Sequence, residues 1–183
     1  MKQSEEQVWI ENVKNGDPSS YSFLVNRYKD MAYTIALKIL KSAEDAEDAA
    51  QESFIKAYQQ LYSFQGAAKF STWLYTIVYR TSISKLNRNR ILTYSIDEDL
   101  NEDYIYDYSD SQLDQLQHTE RSVFVRKAIG KLPESESLLI TLFYLNENTV
   151  KEIEEITGMS ESNIKVKLFR ARKILEKELQ FLL

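Results

Sequence analysis

The sequence predicts an all-α protein: two small helical domains joined by an acidic, flexible linker. Three observations predict it. Turn formers are scarce, with four Gly and two Pro in 183 residues, so long elements run uninterrupted. Apolar residues recur at helical spacing in both halves, with no convincing strand alternation and no internal repeat. Charge is segregated. Residues 93–118 carry eight acids and no base, whereas residues 1–92 (12 basic, 10 acidic) and 119–183 (11 basic, 10 acidic) are close to neutral. The predicted units are therefore an N-terminal domain over 1–92, a linker over 93–118 and a C-terminal domain over 119–183.

In the first domain, Gly16, Asp17 and Pro18 break the chain ahead of a helix marked by Phe23, Leu24, Tyr28, Met31, Ile35 and Leu37 to Leu40. Ser42 is placed to cap the next helix, with Asp45 three residues on, and acids in that first turn suit the helix dipole. Gly66 marks a loop before a long helical stretch. The middle segment, TYSIDEDLNEDYIYDYSDSQLDQLQH, has no clear period, and its like charges favour an extended tether. The C-terminal part reads as four helices. Pro133 opens the second, and the turn ITGMSES holds Gly158, with Ser160 as the cap of the last.

Composition narrows the chemistry. There is no Cys and a single His, His118, so neither a disulfide framework nor a zinc site is expected. The N-terminus, MKQSEEQVWIENVKNGD, lacks the apolar core of a signal peptide. No stretch approaches the ~18 apolar residues of a membrane span. A cytoplasmic protein is expected. No glycine-rich phosphate loop and no nucleophile–His pair occur, so no catalytic residues, metal, cofactor or small-molecule substrate are expected.

Three constellations carry interaction chemistry. In TVKEIEEITGMSESNIKVKLFRAR, a helix, a glycine turn and a second helix fit a helix-turn-helix. Ile153 and Ile156 pack the first helix; Ile164, Leu168, Ala171 and Leu175 form the apolar stripe of the second. Its other faces offer Ser162, Asn163, Lys165, Val166, Lys167, Phe169, Arg170, Arg172 and Lys173. The cations suit phosphates and Asn163 suits a base edge. Glu154 stands where the two helices approach, a place that favours a small residue. The second constellation, KFSTWLYTIVYRTSISKLNRNR, holds five Lys or Arg, four aromatics and no acid. On a helical wheel Phe70, Trp73, Leu74, Ile77 and Val78 form the core face. Thr72, Tyr75, Thr76, Tyr79 and Ile83 form the other, followed by Lys85, Arg88 and Arg90. Tyrosines beside cations suit unpaired bases. The third, AEDAEDAAQESF, is a solvated acidic face or a dock for a basic partner. From these residues alone, a promoter-specificity factor, a conventional duplex-binding regulator and a helical adaptor all remain open.

Taken in order, the blocks FLVNRYKDMAYTIALKIL, DAEDAAQESFIKAYQQLYSF, FSTWLYTIVYR, AIGKLPESESLLITLFYL and EIEEITGMSESNIKVKLFRARKIL resemble the extracytoplasmic-function class of bacterial sigma factors. The resemblance spans nearly the whole chain. It implies binding to core RNA polymerase, with Asp45, Asp48, Gln51, Glu52 and Phe54 on the β′ clamp helices. An apolar surface including Leu138, Leu142 and Phe143 would meet the β flap. It further implies −10 contacts by Ser63, Phe64, Gln65 and Lys69 of a base-holding loop, then by Thr72, Tyr75, Tyr79, Arg80, Lys85, Arg88 and Arg90. Duplex −35 DNA would be read by Ser162, Asn163, Lys165, Val166, Lys167, Arg170 and Lys173. An anti-sigma factor is the usual regulator of such proteins, and the acidic linker would thread the polymerase's positive channel. Arg80 and Ser84 stand where the family commonly has Asn and Asp, so its −10 base preference does not carry over.

Overall fold

Side-chain caps open three of the helices, at Ser42, Thr149 and Ser160. The computed structural model describes residues 5–94 and 120–180, which form eight α-helices and no strand among them. In the N-terminal unit these are α1 (Glu5–Lys14), α2 (Tyr21–Leu40), α3 (Ala43–Gln60) and α4 (Phe70–Tyr94). Asp17 accepts the Ser19 N–H and opens a 3₁₀ turn, Pro18–Ser20, that leads into α2. Ser42 accepts the Asp45 N–H and opens α3. Between α2 and α3 only Lys41 and Ser42 intervene. Lys41 takes a left-handed φ of 64° and returns its N–H to Leu37. The C-terminal unit contains α5 (Glu120–Gly130), α6 (Glu134–Ile140), α7 (Val150–Thr157) and α8 (Glu161–Glu178). The chain divides between Asn89 and Arg90. The boundary expected at residue 92 falls within α4; of the linker expected over 93–118, Thr93 and Tyr94 belong to α4, and 95–118 lies outside the described residues.

In the N-terminal unit, α2 supplies Leu24, Tyr28, Ala32, Ile35, Ala36 and Ile39 to the core, and α3 meets it with Ala46, Ala49, Ala50 and Ala57. Small side chains let the two backbones approach closely, and α2 and α3 pack together along their length. Phe70, Leu74, Tyr75 and Val78 of α4 complete the core, with Ile10 and Val13 of α1. Phe23, which shares the helical spacing of the core residues, is instead exposed and stacks on Trp9 at 5.3 Å.

Lys38 is buried within α2, and desolvation pulls its ammonium down to about 8 from 10.5. Below pH 8 the folded chain bears the cost of that buried charge; between pH 8 and 10.5 the cost fades as the native state loses the proton first.

In the C-terminal unit, α6 and α7 pack on α8 around Leu138, Leu139, Ile140, Leu142, Ile153, Ile156, Ile164, Leu168 and Ala171. A π turn, Thr141–Leu145, follows α6 and closes with the Asn146 N–H on the Thr141 carbonyl at 3.2 Å. Thr149 and Glu152 form a reciprocal capping box at the start of α7. Gly158 ends α7 at φ 73°, and the Ser160 hydroxyl accepts the Asn163 N–H to start α8.

Glu154 corrects the expectation of a small residue at this crossing. Its Oε1 accepts the N–H of Glu161, the first residue of α8, at 3.2 Å. The Glu154 carbonyl accepts from Gly158 at 2.8 Å. One residue of α7 therefore satisfies an orphan donor of α8 and places a negative charge at its positive end.

Two predictions follow from these buried and capping charges. Lys38→Met should remove the rise in stability that the parent shows as pH goes from 8 towards 10.5, in urea melts across that range. Glu154→Ala, the small-residue substitution, should cost about 1 kcal/mol in the same assay; stabilisation would show that crowding outweighs the cap.

Candidate nucleic-acid interface

The helix-turn-helix is α7, the Gly158 turn and α8, and its exposed face determines what it can read. Ser162, Asn163, Val166, Phe169 and Arg170 are exposed on α8, at spacings that keep them on adjoining faces of the helix. Phe169, left out of the expected contacts, is 60 % exposed. Its signal was its place between Val166 and Arg170, off the Ile164–Leu168–Ala171 stripe. An exposed phenyl ring on a reading helix suits the methyl group of thymine. Lys165 pairs with Glu161 at 2.8 Å and Lys173 with Glu176 at 3.2 Å; both are exposed, salt-screened pairs that DNA phosphate can displace.

Lys167 corrects a second expectation. It points back to α6, donating to Ser135 Oγ at 2.7 Å and lying 3.4 Å from Glu136 Oε1, with its side chain only 23 % exposed. Burial acts to raise the Glu136 carboxyl, but the Ser135 hydroxyl, the backbone and Lys167 outweigh it and hold it below the ordinary value. Lys167 ties α8 to α6.

Leu138 and Leu142 are core residues, so neither can form an apolar surface. The π turn presents Tyr144 and Leu145 instead. Arg172 of α8 donates from Nε to the Tyr144 hydroxyl at 2.7 Å and lies 5.6 Å from both the Phe143 and Tyr144 rings. Phe143 is half-buried and stacks edge-on against Tyr144.

In the N-terminal unit, α4 is buried over a wider arc than the wheel indicated. Tyr75 is 1 % exposed and packs edge-on against Tyr28 at 6.0 Å. Burial pushes its phenol above its ordinary value. Thr72 is also buried, and its hydroxyl has no hydrogen-bond partner within the structure. Both residues leave the single-strand-facing set because α4 packs against α2 on that side. Tyr79 is half-buried, while Arg80, Arg88 and Arg90 are exposed.

The loop before α4 keeps its expected residues together. Ser63 closes a short 3₁₀ turn, Leu61–Ser63, and donates to the Gln60 carbonyl. Phe64 is half-buried, Gln65 and Lys69 are exposed, and Gly66 adopts φ 75°, a turn that only glycine makes readily.

On α3, Asp48, Gln51 and Glu52 face outward, but Phe54 is core and its carbonyl accepts the Tyr21 hydroxyl. Ile55, Tyr58 and Tyr62 continue the outward face as exposed apolar groups that the acidic pattern concealed. Lys85 of α4 bridges Asp45 at 2.9 Å and Asp48 at 3.0 Å, and Asn89 donates to Asp45. Burial acts to lower the Lys85 ammonium, but the two carboxylates outweigh it and lift it above its ordinary value. Asp48 stays 66 % exposed against 30 % for Asp45. Among the described residues no carboxylate or His cluster is placed to hold a metal, and no helix is long and apolar enough to cross a membrane.

This division into two helical units, with a helix-turn-helix in the second, has close counterparts. Sigma-70 region 2 matches residues 24–91, and Sigma-70, region 4 matches residues 122–175. The ECF RNA polymerase sigma factor SigW of Bacillus subtilis is 34% identical over 177 residues, covering 93% of this chain and 95% of that protein. The RNA polymerase sigma-H factor of Pseudomonas aeruginosa is 30% identical over 192 residues, covering 100% and 98%. In fold, the chain is similar to the sigma factor RpoE solved with the anti-sigma factor NepR from Bartonella quintana. That match has a TM-score of 0.60 and 19% identity, and covers 87% of this chain and 96% of that one. With matched regions at both ends and such relatives along its length, the chain belongs to the extracytoplasmic-function class of RNA polymerase sigma factors, initiation subunits that are not themselves enzymes.

Proposed function

We propose that this sigma factor divides polymerase docking, strand capture and duplex reading among three separate helical faces, and that it acts in the cytoplasm. The outer face of α3 docks on the β′ clamp helices of core RNA polymerase through Asp48, Gln51 and Glu52, extended by Ile55, Tyr58 and Tyr62. An acidic row flanked by exposed apolar rings fits a basic, part-apolar helical partner. The loop from Ser63 to Lys69 holds an unpaired −10 base. Tyr79, Arg80, Arg88 and Arg90 line the path of the strand, the tyrosine ring for stacking and the cations for phosphates.

In the C-terminal unit, Ser162, Asn163, Val166, Phe169 and Arg170 enter the major groove of the −35 element, with Lys165 and Lys173 on flanking phosphates. Tyr144 and Leu145 serve as the apolar contact for the β flap. An anti-sigma factor is the expected regulator; the RpoE relative was solved with one. The observation that carries this reading is the bare outer face of α8, which pairs a polar start with an apolar centre and an arginine. Groove recognition needs that order, and a solvated helix does not.

The direct test is reconstitution: purified protein with core polymerase should produce transcripts from a discrete set of start sites sharing −35 and −10 elements. Failure with every promoter in a genomic template would refute the reading. Asp48→Lys should weaken core binding roughly tenfold at low salt and less at high salt, measured by fluorescence titration. Asp48 is the cleaner probe because Asp45 also holds Asn89. Arg170→Ala should cut −35-dependent initiation about tenfold or more without changing core affinity; Phe169→Ala should act selectively on promoters with thymine in the −35 element.

A further inference from the structure

The −10 loop is fastened from an unexpected direction. Lys14, the last residue of α1, donates from Nζ to the backbone carbonyl of Phe64, fifty residues away, at 2.5 Å. The same ammonium lies 5.7 Å from the centroid of the Phe64 ring. A single cation therefore holds one residue by its main chain and by its aromatic face together. Its own base is firm: the neighbouring Val13 is buried, and the end of α1 is closed by the Asn15 and Gly16 N–H groups on Glu11 and Val13.

Phe64 in turn seats the loop on α4. Its ring packs edge-on against Phe70 at 5.6 Å and tilted against Trp73 at 5.2 Å, and those two rings lie 5.5 Å apart. On one side of Phe64 the backbone is held by its own N–H on the Leu61 carbonyl. On the other, Gln65 and the left-handed Gly66 lead to Lys69, whose carbonyl accepts from Trp73 in the first turn of α4. The contact with Lys14 falls at the point where the chain leaves the ring cluster and enters the exposed loop.

We infer that Lys14 is a positioning residue for −10 recognition: it fixes Phe64 so that Gln65 to Lys69 stand preformed around the flipped base. This rests on the assignment of that loop to the −10 element. Because its ammonium is spent on Phe64, Lys14 acts on base choice through the shape of the loop and adds no phosphate contact of its own. A preformed pocket discriminates between bases, since a loose one adapts to whichever base enters.

The test uses full-length protein reconstituted with core polymerase and a promoter library randomised across the −10 element, and separately across the −35 element. Selection is read by sequencing the templates held in open complexes. Lys14→Met keeps the aliphatic stem and removes the ammonium; Lys14→Arg keeps a cation. For Lys14→Met, selectivity at one or two adjacent −10 positions should fall about tenfold, the size of one charge-assisted hydrogen bond. Selectivity at −35, core affinity and salt dependence should be unchanged, and Lys14→Arg should restore most of the loss. Equal −10 selectivity in Lys14→Met and the parent would overturn the role of Lys14. A loss uniform over all sequences with a shallower salt slope would make Lys14 a phosphate contact instead. Parallel loss at −35 with a lower melting temperature would reduce it to general stability. A parent protein that selects no −10 base at all would remove the loop assignment itself, a result distinct from the other three.

Discussion

The alanine seam between α2 and α3 is the constraint on which the N-terminal unit rests. Ala32 and Ala36 of α2 and Ala46, Ala49, Ala50 and Ala57 of α3 are all buried, and side chains this small let two helices approach closely. Close approach of two helices gains dispersion over a long strip. The outer face of α3 carries Glu44, Glu47, Asp48, Gln51 and Glu52 in water. Bulkier residues at the seam would push the helices apart and draw α3's amphipathic partition out of register. The two-residue connection through Lys41 and Ser42, with its left-handed Lys41, fixes the antiparallel return that the seam requires.

Electrostatics then links α3 to α4. Lys85 sits between Asp45 and Asp48, so one cation of α4 is shared with two acids of α3. Such partly exposed bridges contribute little to stability, roughly 0–1 kcal/mol. They matter for the distribution of charge: the acid-free run of α4 is balanced locally by α3, and its net field is carried by Arg80, Arg88 and Arg90.

Much of this was legible in the chain itself. Periodicity, scarce glycines and cap residues such as Ser42 and Ser160 identify the helices, and block order identifies the family. Side-chain direction was harder to read. Tyr75 looked like a surface ring because a wheel assumes one buried stripe, whereas α4 is covered on more than one side. Leu138 and Leu142 looked available because nothing in the sequence announces the π turn, which turns Tyr144 and Leu145 outward in their place. Lys167 looked like a reader because basic residues on a recognition helix carry no mark of which ones bond back to Ser135 and Glu136. Glu154 looked out of place because its partner is a backbone N–H, and a residue pattern does not display backbone donors. Long-range polar contacts are what a single sequence hides best.

The helix-turn-helix keeps its fasteners and its proposed readers on different residues. Glu154, Lys167, Ile164 and Leu168 hold α8 in position, while Asn163, Val166, Phe169 and Arg170 remain uncommitted to the core. A substitution among the second group alters what the helix prefers without loosening how it is held, since sites without shared partners vary almost independently. Changes at those four exposed positions can therefore accumulate singly while the buried contacts keep α8 seated.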